Sequence, residues 1–282
     1  MGSLIKGVLF MPPNKAPAED ENKTEKQKNK EKEEENKNTV FLDTAHGSKI
    51  KLIKYIINPN YMYLLISHGN AENIHIVYKW VKEYLINFVN INIILYEYTG
   101  YDISQPNFFD CCEQYIYNDA DAAYNYLTSE LQIPPDRIVV FGRSLGSGPA
   151  CYLAEKYPVR GLFLNSGFTS AFRVVFKFRW TLPGDMFPNI DRMKNITCPV
   201  CIVHSVKDEI VPFYHARVMY EKSRNKFPPL FIDGTTLKHI NYFYLFLFYF
   251  LFKLKILLFH LIILTFYWGL GIGDWGLGIG DW

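Results

Sequence analysis

Residues 137–151 constrain the chain more than any other stretch. Ile138, Val139, Val140 and Phe141 form an apolar, largely β-branched run that passes straight into Gly142-Arg143-Ser144-Leu145-Gly146, and the small residues Ser147, Gly148, Pro149 and Ala150 follow. Such a run reads as a buried strand, the segment after it as a helix, and the junction as a tight turn with a serine hydroxyl at its tip. Glycines on both sides of the serine keep bulk away where strand and helix come close. The backbone N–H of Leu145 is then expected to face an oxyanion forming beside Ser144, and the start of the helix favours negative charge there. A glycine-rich turn with an incidental serine gives the same five letters; the strand before and the helix after set this one apart.

The rest of the chain supplies the other layers. Residues 40–42 and 50–57 read as strands joined by the turn His46-Gly47-Ser48. Residues 61–67, 91–96, 159–164, 200–204 and 230–232 are short apolar runs, as expected of strands buried on both faces. Between them lie helical patterns: from about residue 74 to 88 with Ile76, Val77, Trp80, Val81, Tyr84 and Leu85 on one face, then 119–131, 150–156 and 214–223. Residues 165–195 read as an irregular, aromatic cap. Strands alternating with crossover helices give an α/β protein with a mostly parallel central sheet flanked by helices. Ligands of such sheets bind at the carboxyl ends of the strands.

The chain has 282 residues, enough for one sizeable domain plus extras, and a net charge of +2 that argues against nucleic acid as a partner. Its five cysteines are odd in number and irregularly spaced, which fits a reducing, cytoplasmic setting. Cys198-Pro-Val-Cys201 opens an apolar run and has no second pair, so it reads as part of a strand. No cleavable signal peptide is evident, no metal is expected, and no cofactor either. Residues 1–13 are expected to be a short anchor segment, docked on the domain or on a membrane surface. Residues 14–38 are almost entirely charged or polar and are expected to be a disordered spacer, because nothing in them offsets the ordering entropy. The domain is expected to span residues 39–234, with 235–282 as an atypical tail.

A serine needs a base, an orienting acid and an oxyanion hole to act as a nucleophile. In folds of this type these follow in the order serine, acid, histidine. The second oxyanion donor is expected from the loop after an early strand, Ser67-His68-Gly69-Asn70-Ala71. The N–H of Asn70 is assigned there, with that of Ala71 adjacent. His68 itself precedes the serine and is not the expected base. The acid is expected after a late strand, where Asp208 leads and Glu209 is second; His204, inside that strand, reads as a buried structural residue. The base is expected after the last strand, and His239 is the histidine in that place.

With these residues in hand, the chain resembles the alpha/beta-hydrolase domain-containing protein 17 family from about residue 8 to residue 234. The blocks that carry the resemblance are Leu9-Phe10-Met11-Pro12-Pro13, Ser67-His68-Gly69-Asn70-Ala71, Gly142-Arg143-Ser144-Leu145-Gly146, Phe187-Pro188-Asn189-Ile190, and Lys207-Asp208-Glu209-Ile210-Val211 with His215, Tyr220 and Glu221. The resemblance implies an α/β-hydrolase fold with an atypical C-terminal part, nucleophile Ser144, acid Asp208, and hydrolysis of acyl esters or thioesters, in that family removal of palmitate from membrane-bound proteins. Two features depart from the family. The cysteine-rich N-terminus that becomes palmitoylated there has no counterpart before Cys111. Where the family carries Gly-x-Gly-His-Asn-Asp, this chain reads Gly234-Thr235-Thr236-Leu237-Lys238-His239-Ile240-Asn241, so His239 is displaced and no acid follows.

Beyond Gly234 the composition turns abruptly to Phe, Leu, Tyr and Ile, and residues 268–282 repeat a Trp-Gly-Leu-Gly-Ile-Gly-Asp unit. The run 242–268 has the length of a membrane span, about 20 residues. Lys253 and Lys255 interrupt it near its middle, at a cost of about 2.5–3.5 kcal/mol each on insertion scales. It lacks the period of a sheet-covering helix and reads as translated AT-rich intron sequence, outside the evolved domain. The leading expectation is therefore a serine hydrolase with an acylated protein or lipid as substrate. Phe168, Phe172, Phe176, Phe178 and Trp180 in the cap suit an acyl chain and equally suit a core. The alternative is a non-catalytic α/β-hydrolase module held at a membrane by its C-terminal segment.

Overall fold

A computed structural model describes residue 10, residues 24–85, 90–101, 111–175 and 183–233, and residues 250 and 253. Strands β1 (Thr39–Asp43), β2 (Lys49–Tyr55), β3 (Tyr63–Ser67), β4 (Asn92–Tyr96), β5 (Ile138–Arg143), β6 (Gly161–Asn165), β7 (Val200–Ser205) and β8 (Leu230–Ile232) form one sheet in the order β1-β2-β4-β3-β5-β6-β7-β8. β2 runs antiparallel to both β1 and β4, and the pairs from β4 to β8 are parallel. Every residue of β3 and β4 is buried. This is the pattern of strands covered on both faces, and it explains why their sequences are continuous rather than alternating.

Successive side chains of each strand serve opposite layers. Leu65, Ile94, Val140, Leu162, Leu164 and Ile202 face one core with α3 (Glu113–Asn125), α4 (Ser147–Lys156) and α7 (Tyr214–Lys222). Leu64, Ile66, Val139, Phe141, Phe163 and Val203 face the other, with Ile74, Val77 and Tyr78 of α2 (Ile74–Trp80). Phe250 belongs to this second core, wholly buried, with its ring 5.6 Å from Phe163 and 4.9 Å from Phe227. A residue from the stretch expected to lie outside the domain therefore fills its interior. Phe10 likewise packs on Phe187, with ring centroids 6.2 Å apart.

Three expectations differ from the structure. Part of the charged stretch 14–38 is ordered, because α1 (Glu25–Lys37) is a helix. Its partners are polar: Glu35 meets Lys51 at 2.7 Å and the His75 ring at 3.0 Å, and Glu34 meets Lys82 at 3.0 Å. The helix expected from residue 119 begins at Glu113, and a π-helical turn, Tyr126–Glu130, completes it. The cap region 165–195 contains two short helices, α5 (Ala171–Val175) and α6 (Asn189–Met193). Within it, Phe168 is buried in the first core, and Phe176, Phe178 and Trp180 lie outside the described residues. Among the described residues no helix is long and apolar enough to cross a membrane.

Candidate active site

β5 delivers Ser144 to the carboxyl edge of the sheet. Its residues are buried up to Gly142, Arg143 emerges, and Ser144 turns the chain at φ +48° into a single 3₁₀ turn, Ser144–Gly146, ahead of α4. A left-handed conformation at a non-glycine residue marks the strained elbow expected from the motif. Both flanking glycines are there because of contact. A Cβ on Gly142 would lie 2.5 Å from the Gly146 carbonyl oxygen and 2.7 Å from the Ala150 Cβ. One on Gly146 would lie 2.0 Å from the Ser67 carbonyl oxygen and 2.7 Å from that of His68. The elbow is thus pressed against the end of β3, where the oxyanion loop begins.

That loop is tied down at several atoms. The Gly69 N–H donates to Glu72 Oε2 at 2.8 Å, and Glu72 Oε1 accepts from Arg143 Nη1, next to the serine. The Glu72 N–H donates to the Asn70 carbonyl at 2.9 Å, and the Tyr101 hydroxyl donates to Asn70 Oδ1 at 2.6 Å. His68 is buried, with Nε2 2.8 Å from Glu97 Oε1 and Nδ1 2.9 Å from the Gly69 carbonyl oxygen. Burial alone would lower its pKa; the adjacent Glu97 carboxylate outweighs this and raises it. The ring is engaged in the loop's own architecture, away from the role of a base.

Two strands along from β5, β7 ends at Ser205 and leads into the acid loop. Asp208 Oδ1 accepts the N–H groups of Ile210 at 3.0 Å and Val211 at 2.8 Å. Its Oδ2 lies 3.6 Å from His204 Nε2, whose proton goes to the Val211 carbonyl at 2.8 Å, so among the described residues Oδ2 is left for another donor. Glu209, the second candidate, is exposed. His204 is fully buried and burial lowers its pKa, in line with a structural role. His239, the expected base, lies outside the described residues.

The structure therefore brings Ser144, the Gly69-Asn70 loop and Asp208 to one edge of the parallel strands. It adds residues that sequence reasoning missed. Glu72 and Glu97 anchor the oxyanion loop. Asn189 donates to the Phe168 carbonyl at 2.9 Å and to Ser147 Oγ at 3.3 Å, locking the cap onto the start of α4. The one available signal for Glu97 was a carboxylate placed directly at the end of a buried strand.

No protein-family model matches the chain. It is 34% identical over 198 residues to alpha/beta hydrolase domain-containing protein 17B of Xenopus tropicalis, covering 68% of this chain and 66% of that protein. It is 33% identical over 198 residues to protein 17C of Mus musculus, covering 69% of this chain and 60% of that protein. The chain thus spans just under two thirds of the length of these curated relatives. Among solved structures, Est1E from Butyrivibrio proteoclasticus with ferulic acid bound matches with a TM-score of 0.60 at 16% identity, over 77% of this chain and 99% of that one, a likeness of fold. By architecture the chain has the α/β-hydrolase fold, and by sequence it belongs to the alpha/beta hydrolase domain-containing protein 17 family.

Proposed function

We propose that the chain is a serine hydrolase that cleaves acyl esters or thioesters through an acyl-enzyme on Ser144. The observation that carries this reading is the strained Ser144 turn, φ +48°, pressed against the oxyanion loop on the edge that also holds the Asp208 loop. Ser144 Oγ attacks the acyl carbon as its proton passes to the base, assigned to His239 and oriented by Asp208. The carbonyl oxygen becomes an oxyanion that the N–H groups of Leu145 and Asn70 stabilise. Collapse breaks the bond to the alcohol or thiol, which leaves with the proton from the base. Water then attacks the acyl-enzyme by the same route and frees the carboxylic acid and Ser144.

An acyl-protein substrate, as in depalmitoylation at a membrane surface, is the finer form of the proposal. Exposed Val206 and Ile210 flank Asp208 and give the acid loop an apolar rim suited to an acyl chain. A fluorophosphonate probe tests the class: labelling is expected and should vanish in Ser144→Ala. Absence of labelling in the unmodified chain would favour a non-catalytic module. Comparing a palmitoyl thioester, a lysophospholipid and a short ester then tests the substrate, with the thioester expected to turn over fastest.

A further inference from the structure

We propose that His68, doubly protonated and paired with Glu97, is a positioning residue that sets which way the Gly69–Asn70 peptide faces and so aims the Asn70 N–H at the Ser144 oxyanion. This deepens the serine hydrolase reading and rests on it.

The ring's protonation follows from its partners. Nδ1 is 2.9 Å from the Gly69 carbonyl oxygen, a group that can only accept. Nε2 is 2.8 Å from Glu97 Oε1, and that carboxylate already accepts the Tyr98 N–H at 3.0 Å on Oε1 and the Ile74 N–H at 2.9 Å on Oε2. With a main-chain N–H already donating to each of its oxygens, Glu97 serves as the acceptor towards Nε2 as well, so both ring nitrogens donate. The Tyr98 ring stacks on the imidazolium with centroids 4.0 Å apart, and its hydroxyl donates to the His68 carbonyl at 2.9 Å.

The consequence lies in the peptide unit. The Gly69 carbonyl and the Asn70 N–H share one planar group, and no cis peptide occurs among the described residues. In a trans peptide these two bonds point opposite ways. Holding the oxygen against the ring therefore sends the N–H to the other side. The elbow is close by: a Cβ on Gly69 would lie 3.8 Å from the Arg143 carbonyl oxygen, and Glu72 joins the Gly69 N–H to the Arg143 side chain. Were Nδ1 to lose its proton, two lone pairs would meet. The peptide would be driven to turn over, setting a carbonyl where the oxyanion needs a donor.

Two substitutions separate aiming from mere support. Asn places an amide nitrogen near the position of Nδ1 and keeps a donor for Gly69; Gln reaches towards Glu97 and gives that donor up. Loss of one oxyanion donor costs about 10²–10³ in kcat. In the full chain, His68→Gln is thus expected to lower kcat on a p-nitrophenyl acyl ester about 100-fold with KM changed less than about threefold. His68→Asn, although it breaks the ion pair, is expected to recover about tenfold or more of that loss. Asn performing no better than Gln, or a loss confined to KM, would overturn the proposal. On the unsubstituted chain, ¹⁵N NMR of labelled histidine should find both His68 ring nitrogens protonated at pH 8; a bare Nδ1 would overturn it whether or not the chain turns over. An unlabelled Ser144 beside a doubly protonated His68 would instead remove the hydrolase reading.

Discussion

Ser144 at φ +48° costs on the order of 1–2 kcal/mol, and the turn persists because its surroundings permit no other path. Gly146→Ala would push a methyl group to 2.0 Å from the Ser67 carbonyl oxygen, a contact with main chain on both sides. We expect it to cost about 3 kcal/mol or more, at the upper end for overpacked sites. Gly47→Ala, at φ +84° with nothing within 4 Å, meets the dihedral cost alone, about 1 kcal/mol. Urea denaturation followed by circular dichroism compares them, and equal losses would mean that the elbow is not seated on β3. A second residue carries a pH dependence. His215 is buried, with Nδ1 2.8 Å from the Thr169 hydroxyl and accepting the Thr169 N–H at 3.3 Å, so the folded ring is neutral. Burial, with His204 and Arg173 nearby, lowers its pKa to about 4. The unfolded chain binds a proton below about 6.5 and the folded chain does not. The contribution is therefore whole above that pH and is lost as pH falls towards 4, to the extent of about 3 kcal/mol. His215→Asn keeps an acceptor for Thr169 and should flatten the fall in urea midpoint between pH 7 and 4.5; an unchanged slope would assign the acid sensitivity elsewhere. The glycines around Ser144 were legible because their reasons are local. Glu97 was not, since its partner His68 lies 29 residues away in sequence.

Strands were read close to their true bounds because burial on both faces leaves a continuous apolar signature; the helix expected at 214–223 was too, ending at Lys222, but other helix ends were not. From Val81 to Leu85 the chain leaves α-helical geometry for a π-helical turn, which no apolar period announces. The largest difference is α1. Its composition lacks the apolar side chains that order a segment by burial, yet Glu, Lys and Gln are good helix formers, and the helix finds Lys51 on β2 and the His75 ring on α2. Charge pairing between distant elements has no periodic trace in sequence. Burial pushes the Glu35 carboxyl up, but His75 and Lys51 outweigh this and hold it at about 2. Its stabilising effect is thus present above about pH 4.5 and lost as pH falls towards 2. Partly exposed pairs of this kind contribute on the order of 1 kcal/mol and are screened by salt. Hydrogen exchange should accordingly speed up in residues 25–37 in Glu35→Gln, and in the parent at 1 M salt, with β3 and β5 unaffected. Exchange in α1 that ignores both changes would show that something other than charge holds the helix.

For the molecule as a whole, the sheet has two faces to cover, and the sequence accounted for only one fully. α3, α4 and α7 close the first. α2 covers part of the second, and Phe250 enters where Phe163, Cys201 and Val203 line that face. A stretch apolar on every side carries no helical period, so composition pointed to a membrane or to sequence foreign to the domain. A sheet face with unmet apolar area accepts such a segment all the same, since burial is non-directional and scales with area removed from water. Two readings of residues 235–282 thus make opposite demands on one side chain. If the segment covers the sheet, Phe250→Ala opens a cavity between Phe163 and Phe227 and costs about 3–5 kcal/mol. Domains of this kind hold about 5–15 kcal/mol in total, so fluorophosphonate labelling of Ser144 at 37 °C should fall with it. Phe41→Ala, on the edge strand and 59% exposed, is the control and should cost under about 0.5 kcal/mol. Should the two variants denature at the same urea concentration, Phe250 contributes nothing to the fold and the sheet is closed without it. A wide separation between them makes the apolar tail part of the hydrolase domain and sets the stability of the Ser144 edge from the opposite layer of the molecule.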